Sequence, residues 1–111
     1  MGRLDYLRQY GSPNTVRAYV SALKRFFETV YGERDGLEEL AERYFTEKRN
    51  YEEDVQALAV AVKDMAPYSR KSIIGAVRIM LLENRVELPQ LFWRRLRGRI
   101  KGSTAITEDR V

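Results

Sequence analysis

Five cations, Arg94, Arg95, Arg97, Arg99 and Lys101, fall within eight residues of this 111-residue chain, and no acid interrupts them. A guanidinium offers a planar fork of donors that matches phosphate oxygens, so such a run is chemistry for holding a polyanion in a salt-sensitive way. The chain has no His and no Cys. That removes the usual general base, the commonest metal ligand, any thiolate nucleophile and any disulfide frame. A glycine-rich phosphate loop and a Ser/His/Asp set are also missing. Carboxylates crowd residues 33–54, but on amphipathic helices they make a solvated face. No metal, no cofactor and no catalysis by this chain alone are expected.

The net charge of +4 conceals a division along the chain. Residues 1–32 carry +3, residues 33–64 carry −5 and residues 65–104 carry +7. The two ends of the chain are therefore expected to share a basic surface, with an acidic middle turned elsewhere. A solvated charge pattern with no partner is the plainer alternative. The length fits one domain with a modest core. No apolar run nears the ~20 residues of a membrane span and no signal-peptide pattern opens the chain, so a cytoplasmic protein without membrane contact is expected.

The elements that must position these cations read as helices throughout. Residues 3–10 fit two turns with Leu4, Leu7 and Tyr10 inward. Ser12 caps the main helix, which runs to Tyr31, and Pro13 takes its first position. Val16, Tyr19, Val20, Leu23, Phe27 and Val30 form its apolar stripe. Asn14, Arg17, Ala18, Ser21, Lys24, Arg25 and Glu28 form its wet face. A second helix spans Leu37 to about Lys48, with acids outward. Asn50 followed by Glu53 is a capping-box arrangement that opens a third helix with a stripe from Tyr51 to Met65. Ala57, Val60 and Ala61 make that helix apolar over much of its girth, so it is expected to be central.

Ser69 is expected to cap a fourth helix from about Arg70 to Asn84. Its buried row is Ile73, Val77, Met80 and Leu81, and Arg70, Lys71, Ile74, Gly75 and Arg78 lie opposite. A mid-helix glycine costs roughly 1 kcal/mol relative to Ala, so Gly75 implies close approach of something, a neighbouring helix before a DNA backbone. Pro89 opens a short fifth helix through Trp93 and Leu96, where Trp93 serves as a core anchor. From Lys101 the chain reads as an extended tail. The expected fold is an all-α compact bundle of four to five helices.

Short polar residues at helix starts, Asn14 and Thr15, Ser69 and Ser72, would offer hydroxyls and N–H groups to phosphates. Capping alone explains them equally well. An apolar patch around Ile74 and Leu88–Phe92 supports a competing reading, a helical protein–protein module that does not bind DNA.

The pattern Ser12-Pro13-Asn14-Thr15-x-x-x-Tyr19-x-x-x-Leu23-x-x-Phe26-Phe27 resembles the first core-binding helix of tyrosine recombinases, the phage-integrase family. The serine-rich start of the fourth helix, the Leu88-Pro89 break and the ITEDRV tail occupy the places that follow in that family. The resemblance implies a SAM-like core-binding domain over residues 1–102, with 103–111 beginning a linker to a catalytic domain beyond this chain. It implies half of a clamp around duplex DNA at a recombination core site, with other recombinase protomers as partners of the full-length protein and a monomeric isolated domain. The family's catalytic set includes an H-x-x-R motif and a nucleophilic Tyr in that further domain, and none of it maps onto a chain without His. The implied DNA contacts are Asn14, Thr15, Arg17, Ser21, Lys24 and Arg25 from the main helix, and Ser69, Arg70, Lys71, Ile74, Gly75 and Arg78 from the fourth. Arg95, Arg97, Arg99 and Lys101 come from the linker side.

Overall fold

Ser12 and Gly32 bound the longest helix, each for a different physical reason. At the start, Ser12 Oγ accepts from the Thr15 N–H at 3.4 Å, and Pro13 fills the first position. At the end, Gly32 takes the left-handed conformation, φ 76°, and its N–H closes on the Glu28 carbonyl at 2.9 Å. The computed structural model describes residues 2–102, and only the backbone of 98–102. A 3₁₀ turn over Asp5–Gln9 leads into α1 (Pro13–Tyr31), α2 (Leu37–Glu47), α3 (Tyr51–Ala61), α4 (Pro67–Glu83) and α5 (Gln90–Gly102). The described residues contain no strand. The protein is an all-α bundle, as its periodicities predict.

Three boundaries differ from the sequence reading. Helix α3 stops at Ala61, where Val62 caps it, and Met65 belongs to the following turn. Helix α4 begins at Pro67, capped by the backbone of Ala66, and not at Arg70. Proline tolerates the first helical position because its missing N–H would have no partner there, so Pro67 opens α4 and Ser69 lies inside its first turn. Helix α5 carries its backbone through Lys101 to Gly102, where an extended tail was expected. The linker assigned to 103–111 lies outside the described residues.

Helix α1 packs against α4 and α3, and α3 also touches α4 and α5. Leu23, Phe26 and Phe27 of α1, Tyr44 of α2, Val55 and Leu58 of α3, and Val77, Met80 and Leu81 of α4 form the buried centre. Phe26 joins this core although the apolar stripe read from the sequence omitted it. Helix α3 is central as expected, but not all round: Ala57 and Ala61 are exposed and Val60 is 64% exposed. Trp93, Phe92 and Leu96 anchor α5 to the same core. Asn84, the C-cap of α4, ties that helix to the N-terminal segment: its Nδ2 donates to the carbonyls of Arg3 at 3.0 Å and Met80 at 2.9 Å.

Tyr44 is the hub of an aromatic cluster, with Phe26, Phe27, Phe45 and Tyr51 rings at 5.3–5.8 Å between centroids. Its buried hydroxyl donates to Asp54 Oδ2 at 2.8 Å, and Arg49 holds the same carboxylate with two bonds at 2.9 and 3.2 Å. Burial, reinforced by the bond to Asp54, pushes the Tyr44 phenol far above its ordinary pKa, so it stays a donor at any physiological pH. Tyr44→Phe keeps the ring and removes the donor. Urea unfolding should show a loss of about 1–2 kcal/mol, and an unchanged midpoint would refute this role.

Candidate nucleic-acid interface

The ion pairs cluster around the acids of α2. All the ion pairs among the described residues draw on Arg3, Arg8, Arg34, Arg43 and Arg49 with Asp5, Glu28, Glu42, Glu47 and Asp54. Three of the six include a residue of α2, which carries the acids predicted to face outward. There the carboxylates are pulled below their usual range, Glu47 by the Tyr31 hydroxyl and then Arg43, Glu42 by Arg3 and then Thr46. Tyr31 is pushed up to about 12, by burial first and by its bond to Glu47 second. Arg17, Lys24 and Arg25 of α1, Lys71 and Arg78 of α4, and Arg95 and Arg97 of α5 stand outside this network.

Helix α4 presents a crest between two grooves. On one side a trough against α1 is lined by Thr15, Ala18, Ala22, Tyr68, Ser72 and Gly75 among others, with no charged residue. On the other, a groove of about 350 Å³ against α5 has a floor of Ile74, Trp93 and Leu96, and a rim of Lys71, Arg78 and Arg97. No acid lines either groove. Gly75 lines both, which puts it on the crest itself. Arg78 is fixed in place, its guanidinium 5.0 Å from the centroid of the Trp93 ring.

The sixteen expected contact residues divide accordingly. Asn14, Arg17, Ser21 and Arg25 are exposed on α1, Thr15 and Lys24 half-buried. At about 100° per residue, Asn14, Ser21 and Arg25 stand beside the trough-lining Thr15, Ala18 and Ala22, whereas Arg17 and Lys24 fall on the far side. Arg17 also donates to Asn14 Oδ1 at 3.0 Å. Lys71 is exposed and Ser69, Gly75 and Arg78 are half-buried. Arg95 and Arg97 are both exposed but part company, because α5 turns Arg95 toward a groove that Glu52 and Gln56 line. The side chains of Arg99 and Lys101 lie outside the described residues.

Two residues read as outward-facing turn inward. Arg70 is only 3% exposed, and its Nη1 donates to the Lys63 carbonyl at 2.8 Å. It ties the first turn of α4 to the α3–α4 turn, and its spacing to Ile74, Val77 and Leu81 puts it on the buried face of that helix. Ile74, 8% exposed, follows it one turn on and packs into the core. The competing apolar patch shrinks for the same reason, since Ile74 and Phe92 are buried and Leu91 is its large exposed member. Tyr68, absent from the expected set, is 81% exposed at the head of the crest. Starting α4 at Pro67 would have placed it, because Tyr68, Ser72 and Gly75 then share one helical face.

Among the described residues no cluster of His, Cys, Asp or Glu is arranged to hold a metal, and no helix is long and apolar enough to cross a membrane. No family model, curated protein or solved structure matches the chain. The geometry of the crest and its charges therefore carries the functional reading.

Arg70 offers a clean separation of structural from binding roles. Arg70→Ala should lower stability by about 2 kcal/mol in denaturant unfolding. For the fraction that folds, it should leave the slope of log affinity against log salt for duplex DNA unchanged. A phosphate contact would instead flatten that slope by about one.

Proposed function

We propose that this chain is a double-stranded DNA-binding domain that lays the α4 crest and its flanking grooves on the duplex. The observation that carries this is the rim of Lys71, Arg78 and Arg97 around one groove with no lining acid, remote in the ion-pair network from the acids of α2. Phosphates are the ligands such a rim suits, since Arg and Lys supply charge-assisted donors and release condensed counterions on binding. The neutral trough toward α1, with the hydroxyls of Thr15 and Ser72, suits a phosphate–sugar backbone or a base edge. Asn14, Ser21 and Arg25 extend the surface along α1.

The resemblance of the Ser12–Phe27 pattern to the core-binding helix of tyrosine recombinases supports the same partner. It makes the reading more specific: a core-binding domain that positions a site-specific recombinase on its core site, with catalysis supplied by a separate domain. The pairing of α1 with α4, the most extensive between helices, places together the two helices that the resemblance assigns to DNA. In this role most contacts position the domain on phosphates, and sequence is read by the few side chains that reach base edges.

Replacing Lys71, Arg78 and Arg97 together by Ala should weaken binding to a mixed-sequence duplex at low salt and flatten the salt slope by about three. Arg95→Ala should change the slope by well under one, because its side chain faces the opposite flank of α5. Unchanged affinity of the triple variant in a low-salt anisotropy titration would overturn the assignment of this surface.

A further inference from the structure

Gly75 sits mid-way along α4, where glycine is a poor helix former and neither a turn nor a cap calls for it. The sequence reading favoured a neighbouring helix as the reason. The structure removes that explanation: a Cβ built on Gly75 meets no heavy atom within 4 Å. Nothing inside the described chain needs the side chain to be absent. Yet the position is half-buried, on the crest between two grooves, with Lys71 and Arg78 four residues before and three after. On a helix these spacings put both cations on the same side as Gly75. Ser72, three residues before, adds an exposed hydroxyl on the trough side.

We infer that Gly75 is a seat for the sugar–phosphate backbone of duplex DNA, the point at which that backbone comes closest to the main chain of α4. This rests on the DNA-binding reading above and names the contact within it. The mid-helix N–H groups are already engaged in the helix ladder, so glycine contributes room and not donors. Without a Cβ, the strand can settle against the helix itself. From there Lys71 and Arg78 reach phosphate oxygens from one side and Ser72 Oγ from the other, as positioning contacts. An anionic strand is a better occupant than an apolar helix because the groove flanking Gly75 carries three cations and no acid.

The test compares the wild-type chain, Gly75→Ala and Gly75→Leu in two measurements, thermal unfolding and anisotropy with a labelled mixed-sequence duplex at low salt. Gly75→Ala should raise Tm by about 4 °C, because a Cβ there meets no neighbour and Ala is the better helix former. Gly75→Leu should fold with Tm at or above wild type through the same helix preference. Both should weaken duplex binding, by about tenfold or more for Leu and less for Ala, while the salt slope stays within about one of wild type because every cation remains. A wild-type chain that binds duplex, with Gly75→Ala and Gly75→Leu binding as tightly, overturns the seat and leaves the DNA reading standing. A wild-type chain with no duplex affinity overturns both. Should the Leu variant fail to fold, the Ala variant decides alone. A glycine kept for contact with a second copy of the chain would instead show as concentration-dependent sedimentation lost in Gly75→Leu, and that result also overturns the seat.

Discussion

The buried bond from Tyr44 to Asp54, with Arg49 closing on the same carboxylate, is the constraint around which the bundle is arranged. A carboxylate this close to the core is tolerated only when its oxygens are met by donors, and here a phenol and a guanidinium meet them. The bond fixes α2 against the start of α3. It also centres a ring cluster that reaches α1 through Phe26 and Phe27. Charge compensation is therefore concentrated around α2 and the start of α3. Arg3, Arg43 and Arg49 are held there by acids and lie over the Phe45 and Tyr31 rings.

The groove between α4 and α5 has the reverse character. Arg78 is held by a ring and not by a carboxylate, so it is ordered without being neutralised. Lys71 and Arg97 share its groove. Interactions that define the fold and charges left for a partner are thus separated, which lets the surface carry a net positive field without weakening the core. A polyanion approaching from solution would be drawn toward that groove.

Much of this was legible in the sequence. The 3.6-residue periodicity marked the helices, and Ser12 and Asn50 announced their caps. What was not legible followed from one ambiguity, whether Pro67 ends a helix or begins one. Proline satisfies both roles locally, and only the packing of α4 on α1 decides between them. The choice decides whether Tyr68 belongs to α4. Arg70 and Ile74 stand at i and i+4 to the buried Val77 and Leu81 at i+7 and i+11, and share their face for either start. Arg95 and Arg97 illustrate a second limit. A run of cations reads as one patch in sequence, but helical rotation sends neighbours two apart to different grooves.

Trp93 is the only tryptophan in the chain, buried at the edge of the α4–α5 groove beneath Arg78. Its indole emission therefore comes from a single location, and a cation that quenches or shifts that emission already rests on it. Any ligand that draws Arg78 away changes the optical environment of one chromophore at the rim. The domain carries its own intrinsic reporter, and occupancy of this groove can be followed without a dye attached to the protein.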